Sequence, residues 1–277
     1  VGQFLFISFL LISQVWGTED PCLYKNLDSL LVSEQSFLSK APLPKKSDDY
    51  KLLYQTAEES FRTNVSIDGL MTTLQKIATG VVKAGASPIL VQLKLDRVKA
   101  EGVRSAYKLF SSQHGAPKTY GEFVSDFGLL NDALEASDET LAVSRAKLLL
   151  KSIKDKNYDT RLLSIKPAKS GSLKTYVQDE MKKIEESMNS KMHIESFHDI
   201  RKQIRVFRNL FQTLDAQFPN PAYRDLADEA GKLSDDMGNV KDEFFAAGKT
   251  GSEKIKISKD IKARIHGLFI RMGASVL

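Results

Sequence analysis

FHDIRKQIRVFRNLF, Phe197–Phe211, carries a histidine, three arginines and a lysine in an otherwise largely apolar stretch. At about 100° per residue, Ile200, Ile204, Phe207, Leu210, Phe211 and Leu214 gather on one face of a helix. His198, Arg201, Arg205 and Arg208 gather on the opposite face, flanked by Lys202. Asp199 is read as pointing elsewhere, so the row is expected to be unneutralised. Stacked positive side chains repel one another. A solvated helix face would intersperse glutamates, and a row of bare guanidinium groups is better suited to bidentate contact with phosphate oxygens. His198 at its head is expected to add donors, and charge when protonated.

The same three- and four-residue spacing of apolar positions runs through most of the chain from Tyr50 onward. It predicts helices at Asp49–Arg62, Ile67–Lys83, Ile89–Ser112, Tyr120–Ala136, Glu139–Lys154, Leu173–Ser190, Ile194–Ala216, Pro221–Ala247 and Ser258–Gly273. No stretch has the sustained alternation of a strand. With 42% hydrophobic and 27% charged residues among 277, and only 16 glycines and 8 prolines, the composition is that of a globular chain rich in helix-forming residues. The fold class expected is all-α. Breaks are placed at Gly85–Pro88, His114–Pro117, Pro167–Ser172 and Phe218–Pro221 by turn chemistry.

The N-terminal VGQFLFISFLLISQVWG, residues 1–17, reads as a secretory signal peptide, its apolar run being too short to span a bilayer. Residues 18–48 read as a linker and N-terminal extension, and 49–277 as a helical domain. Export implies a periplasmic or secreted protein, with no transmembrane segment after cleavage. Cys22 is the only cysteine, so no intrachain disulfide forms, although pairing with another protein is open. Net charge is +5, unevenly spread. From Arg145 onward there is an excess of about eight positive charges, and the part before it is slightly negative. That imbalance points to a polyanionic partner.

Two segments echo each other. VRSAYKLF (Val103–Phe110) aligns with IRVFRNLF (Ile204–Phe211), and Gly128, Leu130 and Asp132 align with Gly231, Leu233 and Asp235. Two matches in one order predict a duplicated helical unit, with repeats at about 67–165 and 171–273. In this alignment Arg104 stands opposite Arg205, Arg97 opposite His198, Ala100 opposite Arg201 and Tyr107 opposite Arg208. The first repeat then offers Lys94, Arg97, Arg104 and Lys108 as its basic face. The terminal helix adds Lys259, Lys262 and His266 as candidate lining.

Other signals lead away from catalysis. Gly248-Lys249-Thr250 lacks the upstream glycine of a P-loop, has Glu243 in its place, and reads as a helix C-cap. The four histidines have no metal-ligand spacing, and no cofactor is implied. Asp228, Glu229, Asp235 and Asp236 read as solvated charge or internal salt bridges. Lys182 and Lys183, beside Glu185 and Glu186, read as a locally balanced surface.

His-x-x-Arg-Lys-x-x-Arg-x-x-Arg, His198 to Arg208, resembles the signature helix of CHAD domains, the conserved-histidine α-helical family. AGKLSDDMGNVKDEF and FGLLNDAL are similar to that family's companion helix. The resemblance covers roughly Ile67–Gly273. It implies two pseudo-repeated helical bundles forming one compact unit, basic faces lining a shared cavity, and inorganic polyphosphate as ligand. The function expected is non-enzymatic binding of polyphosphate or another phosphate-rich polymer, with no specific nucleic acid. The alternative is a helical envelope scaffold or protein-interaction module, which would present an exposed apolar patch.

Overall fold

The computed structural model describes residues 43–44, 46–81, 88–159, 166–188, 192–249, 253–255 and 257–276. The segment read as a signal peptide and Cys22 lie outside the described residues. Among those described there are nine helices: α1 Ser47–Asn64, α2 Ile67–Ala78, α3 Pro88–Phe110, α4 Lys118–Glu135, α5 Glu139–Lys154, α6 Ser172–Met188, α7 Ile194–Gln217, α8 Pro221–Ala246 and α9 Lys259–Val276. The protein is all-α. Among the described residues strand is confined to a two-residue ribbon in which β1, Met192–His193, pairs antiparallel with β2, Lys254–Ile255. None of the described helices is long and apolar enough to cross a membrane.

Helix starts follow local chemistry. The side chains of Ser66, Asp138 and Asn220 accept from the backbone N–H groups of Gly69, Leu141 and Ala222, capping α2, α5 and α8. Pro221 occupies the first turn of α8, where its missing N–H is no loss. At the far end of α8, Gly248 adopts φ +74° and its N–H donates to the Phe245 carbonyl, so the Gly-Lys-Thr segment begins as a helix terminator. Helix α2 stops five residues short of the expected Lys83. Gly80 takes φ +72° there, and both the N–H and the hydroxyl of Thr79 donate to the Gln75 carbonyl.

Helix α7 lies at the centre of the packing. It lies most extensively against α8 and also meets α1, α3 and α6. Phe197, Ile204, Phe207, Leu210, Phe211 and Leu214 are fully buried, as the apolar face of the opening stretch requires. Tyr50, Tyr54, Tyr107, Phe110, Tyr120, Phe123 and Phe127 form a second aromatic body around α1, α3 and α4. Leu43, in the stretch read as linker, is buried in this core. The Pro167–Ser172 boundary is tied down rather than loose: Ala168 N–H donates to the Phe110 carbonyl at 2.8 Å, and Ser112 N–H to Lys166 at 2.9 Å.

Candidate functional site

The α7–α8 pair is antiparallel, and its arginines lie on bare backbone. Around Gly238 a Cβ would meet the Arg201 guanidinium carbon at 2.9 Å, and at Gly231 it would meet Arg208 Nε at 3.3 Å. Only a residue without a side chain lets a planar guanidinium approach a helix so closely. Arg201 Nε donates to the Ser234 carbonyl at 2.8 Å, fixing the plane. The α3–α4 pair has one contact of this kind, with Arg97 Nη2 placed 3.1 Å from a Cβ at Gly128.

The polar side of α7 is therefore not a solvent face. Arg201, Arg205 and Arg208 are half-buried between neighbouring helices. Asn209 of α7 donates to the Ser105 hydroxyl of α3 at 2.8 Å, bringing the basic faces of these two helices together. Burial lowers the Arg205 pKa, and Arg201, Arg97 and Arg104 depress it further against the opposing pull of Glu101. Arg201 is lowered by burial and by Arg97, with Asp242 and Asp235 opposing. Lys108 is lowered by burial and by Arg104 and Lys202, with Glu101 and Glu180 opposing. The cluster thus joins Arg97, Arg104 and Lys108 of α3 to Arg201, Lys202 and Arg205 of α7.

Three expectations require correction. Asp199 compensates the flank of the row rather than its guanidinium groups: it meets Lys202 at 3.3 Å, because i,i+3 positions are neighbours on a helix. On α3, Arg104 pairs with Glu101 at 2.8 Å, Arg97 lies 3.9 Å from Asp132, and Lys94 pairs with Glu135. His198 is not a source of charge near neutrality. Burial, with Lys202, Lys241 and Arg205 nearby, drives its pKa down to about 4, and its Nδ1 is buried without a hydrogen-bond partner among the described residues. The terminal helix, finally, turns its candidates toward α6: Lys262 Nζ donates to the Met188 carbonyl, and His266 lies 3.8 Å from Glu185. Lys259 is exposed at the start of α9.

Other readings stand. Asp236 pairs with Arg264 at 2.6 Å and Glu229 with Arg271, so this acidic patch is used internally. On α6, Lys183–Glu180 and Lys182–Glu186 balance locally. Ala100 and Tyr107, placed opposite arginines in the sequence alignment, are core residues. Sequence reasoning missed Lys241, which acts on His198 from α8, and Glu101, the acid set into the cluster. One signal was available. Arg201 and Arg208 are seven residues apart, as are Gly231 and Gly238, and so are Arg97 and Arg104 and Gly121 and Gly128.

This arrangement concentrates hydrogen-bond donors and positive charge in a partly desolvated region between helices, where an anion would be bound more strongly than on an open surface. Among the described residues no group of three or more His, Cys, Asp or Glu is placed to hold a metal ion. No family model, curated protein or solved structure matches the chain.

Proposed function

We propose that this chain is a non-enzymatic polyanion-binding protein whose ligand is inorganic polyphosphate or another phosphate-rich polymer, held by the facing basic sides of α3 and α7. The observation that carries this reading is the position of Arg205. It is a half-buried guanidinium whose charge is opposed by Arg201, Arg97 and Arg104, with Glu101 in partial compensation. Bringing like charges together in a partly desolvated region is unfavourable, and a phosphate chain would relieve it with charge-assisted hydrogen bonds. Arg201 and Arg208 are prepositioned by their glycines, and Lys108 and Lys202 add charge.

We further propose that α3–α4 and α7–α8 are divergent copies of one unit, consistent with a CHAD-like relationship and with action in the periplasm. Arg97 over Gly128 then corresponds to Arg201 over Gly238, a register shifted from that of the sequence alignment. Titration with long-chain polyphosphate at increasing salt tests the function. Affinity is expected to fall steeply as counterions compete. Salt-insensitive binding, or none at low salt, would sink it.

A second reading rests on a different observation. Val91, Leu95 and Val98, at spacings of four and three on α3, are 59%, 55% and 57% exposed. They make an exposed apolar stripe of the kind expected of a helical interaction module. If this is the function, Val91→Ser/Leu95→Ser/Val98→Ser abolishes association with a protein partner and leaves polyphosphate binding alone.

A further inference from the structure

An open groove of about 470 Å³, part polar and part apolar with Leu148 in its lining, lies between α3, α4 and α5, next to the basic cluster. Its floor is one face of α4: Gly121, Glu122 and Ser125. Its cations are Arg104, Lys118 and Arg145. Arg104 belongs to both places, since it lines the groove and also acts on Arg205 and Lys108 in the cluster.

The groove exists because one arginine–glycine contact is missing. Arg97 lies over Gly128, and seven residues further along the antiparallel pair Arg104 would reach Gly121. Arg104 is instead drawn to Glu101, and the space beyond Gly121 holds no atom within 4 Å of a Cβ. On the far wall, Arg145 uses Nη1 on Asp126 at 2.8 Å and leaves Nε buried without a partner among the described residues. Lys118 is loosely paired with Glu122 at 3.8 Å and is almost fully exposed. Each of the three cations has one carboxylate partner, Glu101, Glu122 or Asp126, and the Lys118 pair is the loosest of the three. Ser125 adds an exposed hydroxyl.

We infer that this groove is a second anion subsite, continuous with the α3–α7 cluster across Arg104, which takes further phosphates of the same chain. The inference rests on the function proposed above and adds a length requirement. A ligand that fills only the cluster gains nothing from Lys118 and Arg145, whereas a longer one is held at both ends. Two linked contacts convert the second binding event into an intramolecular one.

The full chain is titrated with tripolyphosphate and with long-chain polyphosphate, expressed per chain. Long chains are expected to bind at least about tenfold tighter. Two variants test where that gain arises. Lys118→Gln/Arg145→Gln removes the groove's outer charges, and Gly121→Leu fills its floor while changing no charge. Each is expected to lower the ratio of long-chain to tripolyphosphate affinity several-fold. The charge variant should also reduce the slope of log affinity against log salt by about 1.4 for long chains. An unchanged ratio in both variants overturns the second subsite, even with tripolyphosphate binding intact. Parallel loss of both ligands also overturns it, because the two regions would then be a single site. A wild-type chain that binds neither ligand removes the proposed function itself, and the groove subsite with it.

Discussion

Helices α3–α4 and α7–α8 use the same materials to different ends. On α7–α8, Arg201 and Arg208 both lie over glycine, and Arg201 is fixed by a backbone carbonyl with its acids, Asp235 and Asp242, acting from a distance. On α3–α4 only Arg97 is placed that way. Arg104 is bound by a carboxylate of its own helix, and Gly121 is left open. One pair presents rigid, half-buried guanidinium groups with little direct neutralisation. The other presents compensated groups beside a void. Contact with bare backbone limits a guanidinium's motion without quenching its charge, while a salt bridge to Glu101 does both.

The largest effect that separates the two pairs is in ligand affinity. Arg205→Gln is expected to weaken long-chain polyphosphate about 100-fold, as removal of a desolvated charge partner does. Arg104→Gln, already compensated by Glu101, should lose about tenfold. Equal losses, measured by calorimetry with helical content unchanged, would erase the distinction. Next in size is Glu101→Gln. It removes the carboxylate that competes with the ligand for Arg104 and opposes the cations around Arg205, and should tighten binding several-fold. A weakened complex would mean that Glu101 positions the arginines rather than masking them.

Stability should separate the glycines by sign. Gly238→Ala forces Arg201 off the Ser234 carbonyl, and the chain is expected to lose about 1 kcal/mol in urea unfolding despite alanine's better helix propensity. Gly121→Ala meets open space and should gain about 0.5 kcal/mol. Two stabilised variants would show that the arginine contact on α8 is loose.

His198 supplies the pH dependence, and it belongs to the α7–α8 side. Its folded pKa, about 4, lies below the ordinary 6.5. As pH falls through 6.5 the unfolded chain takes up a proton that the folded chain refuses. Stability is therefore complete above 6.5 and is lost progressively toward pH 4. Partial exposure limits the loss to about 1 kcal/mol. His198→Phe should flatten this part of the pH profile, and an unaltered profile would assign it to other groups.

Helix existence and most boundaries were legible in the sequence because caps and breakers act locally. Glu139–Lys154 was read correctly at both ends, with Asp138 supplying the cap. The reading ran through Gly80 into Val81 because apolar spacing continued past a residue whose positive φ ended the helix. The basic row on α7 was visible from spacing alone. Its surroundings were not, since spacing within one helix does not say which neighbouring helix covers its polar side. Whether Arg205 faces water or Arg97 and Arg104 depends on α3 docking against α7, a tertiary fact without a local signature. The neutral state of His198 follows from the same docking, together with Lys241 arriving from α8. The matched seven-residue spacings of arginines and glycines trace the packing of α7 on α8 and of α3 on α4, not that docking.

The two-residue ribbon before α7 has a consequence for where the molecule opens. Helix α7 starts at Ile194 directly after β1, and His193 provides no side-chain cap. Its first turn is anchored instead by the pairing of Met192 with Ile255 and His193 with Lys254. Fraying of the basic helix at this end is thereby coupled to the chain entering α9, some sixty residues away in sequence. Amide protons in the first turn of α7 should exchange together with those of the ribbon, as one small cooperative unit, while the glycine-backed arginine turns further along remain closed.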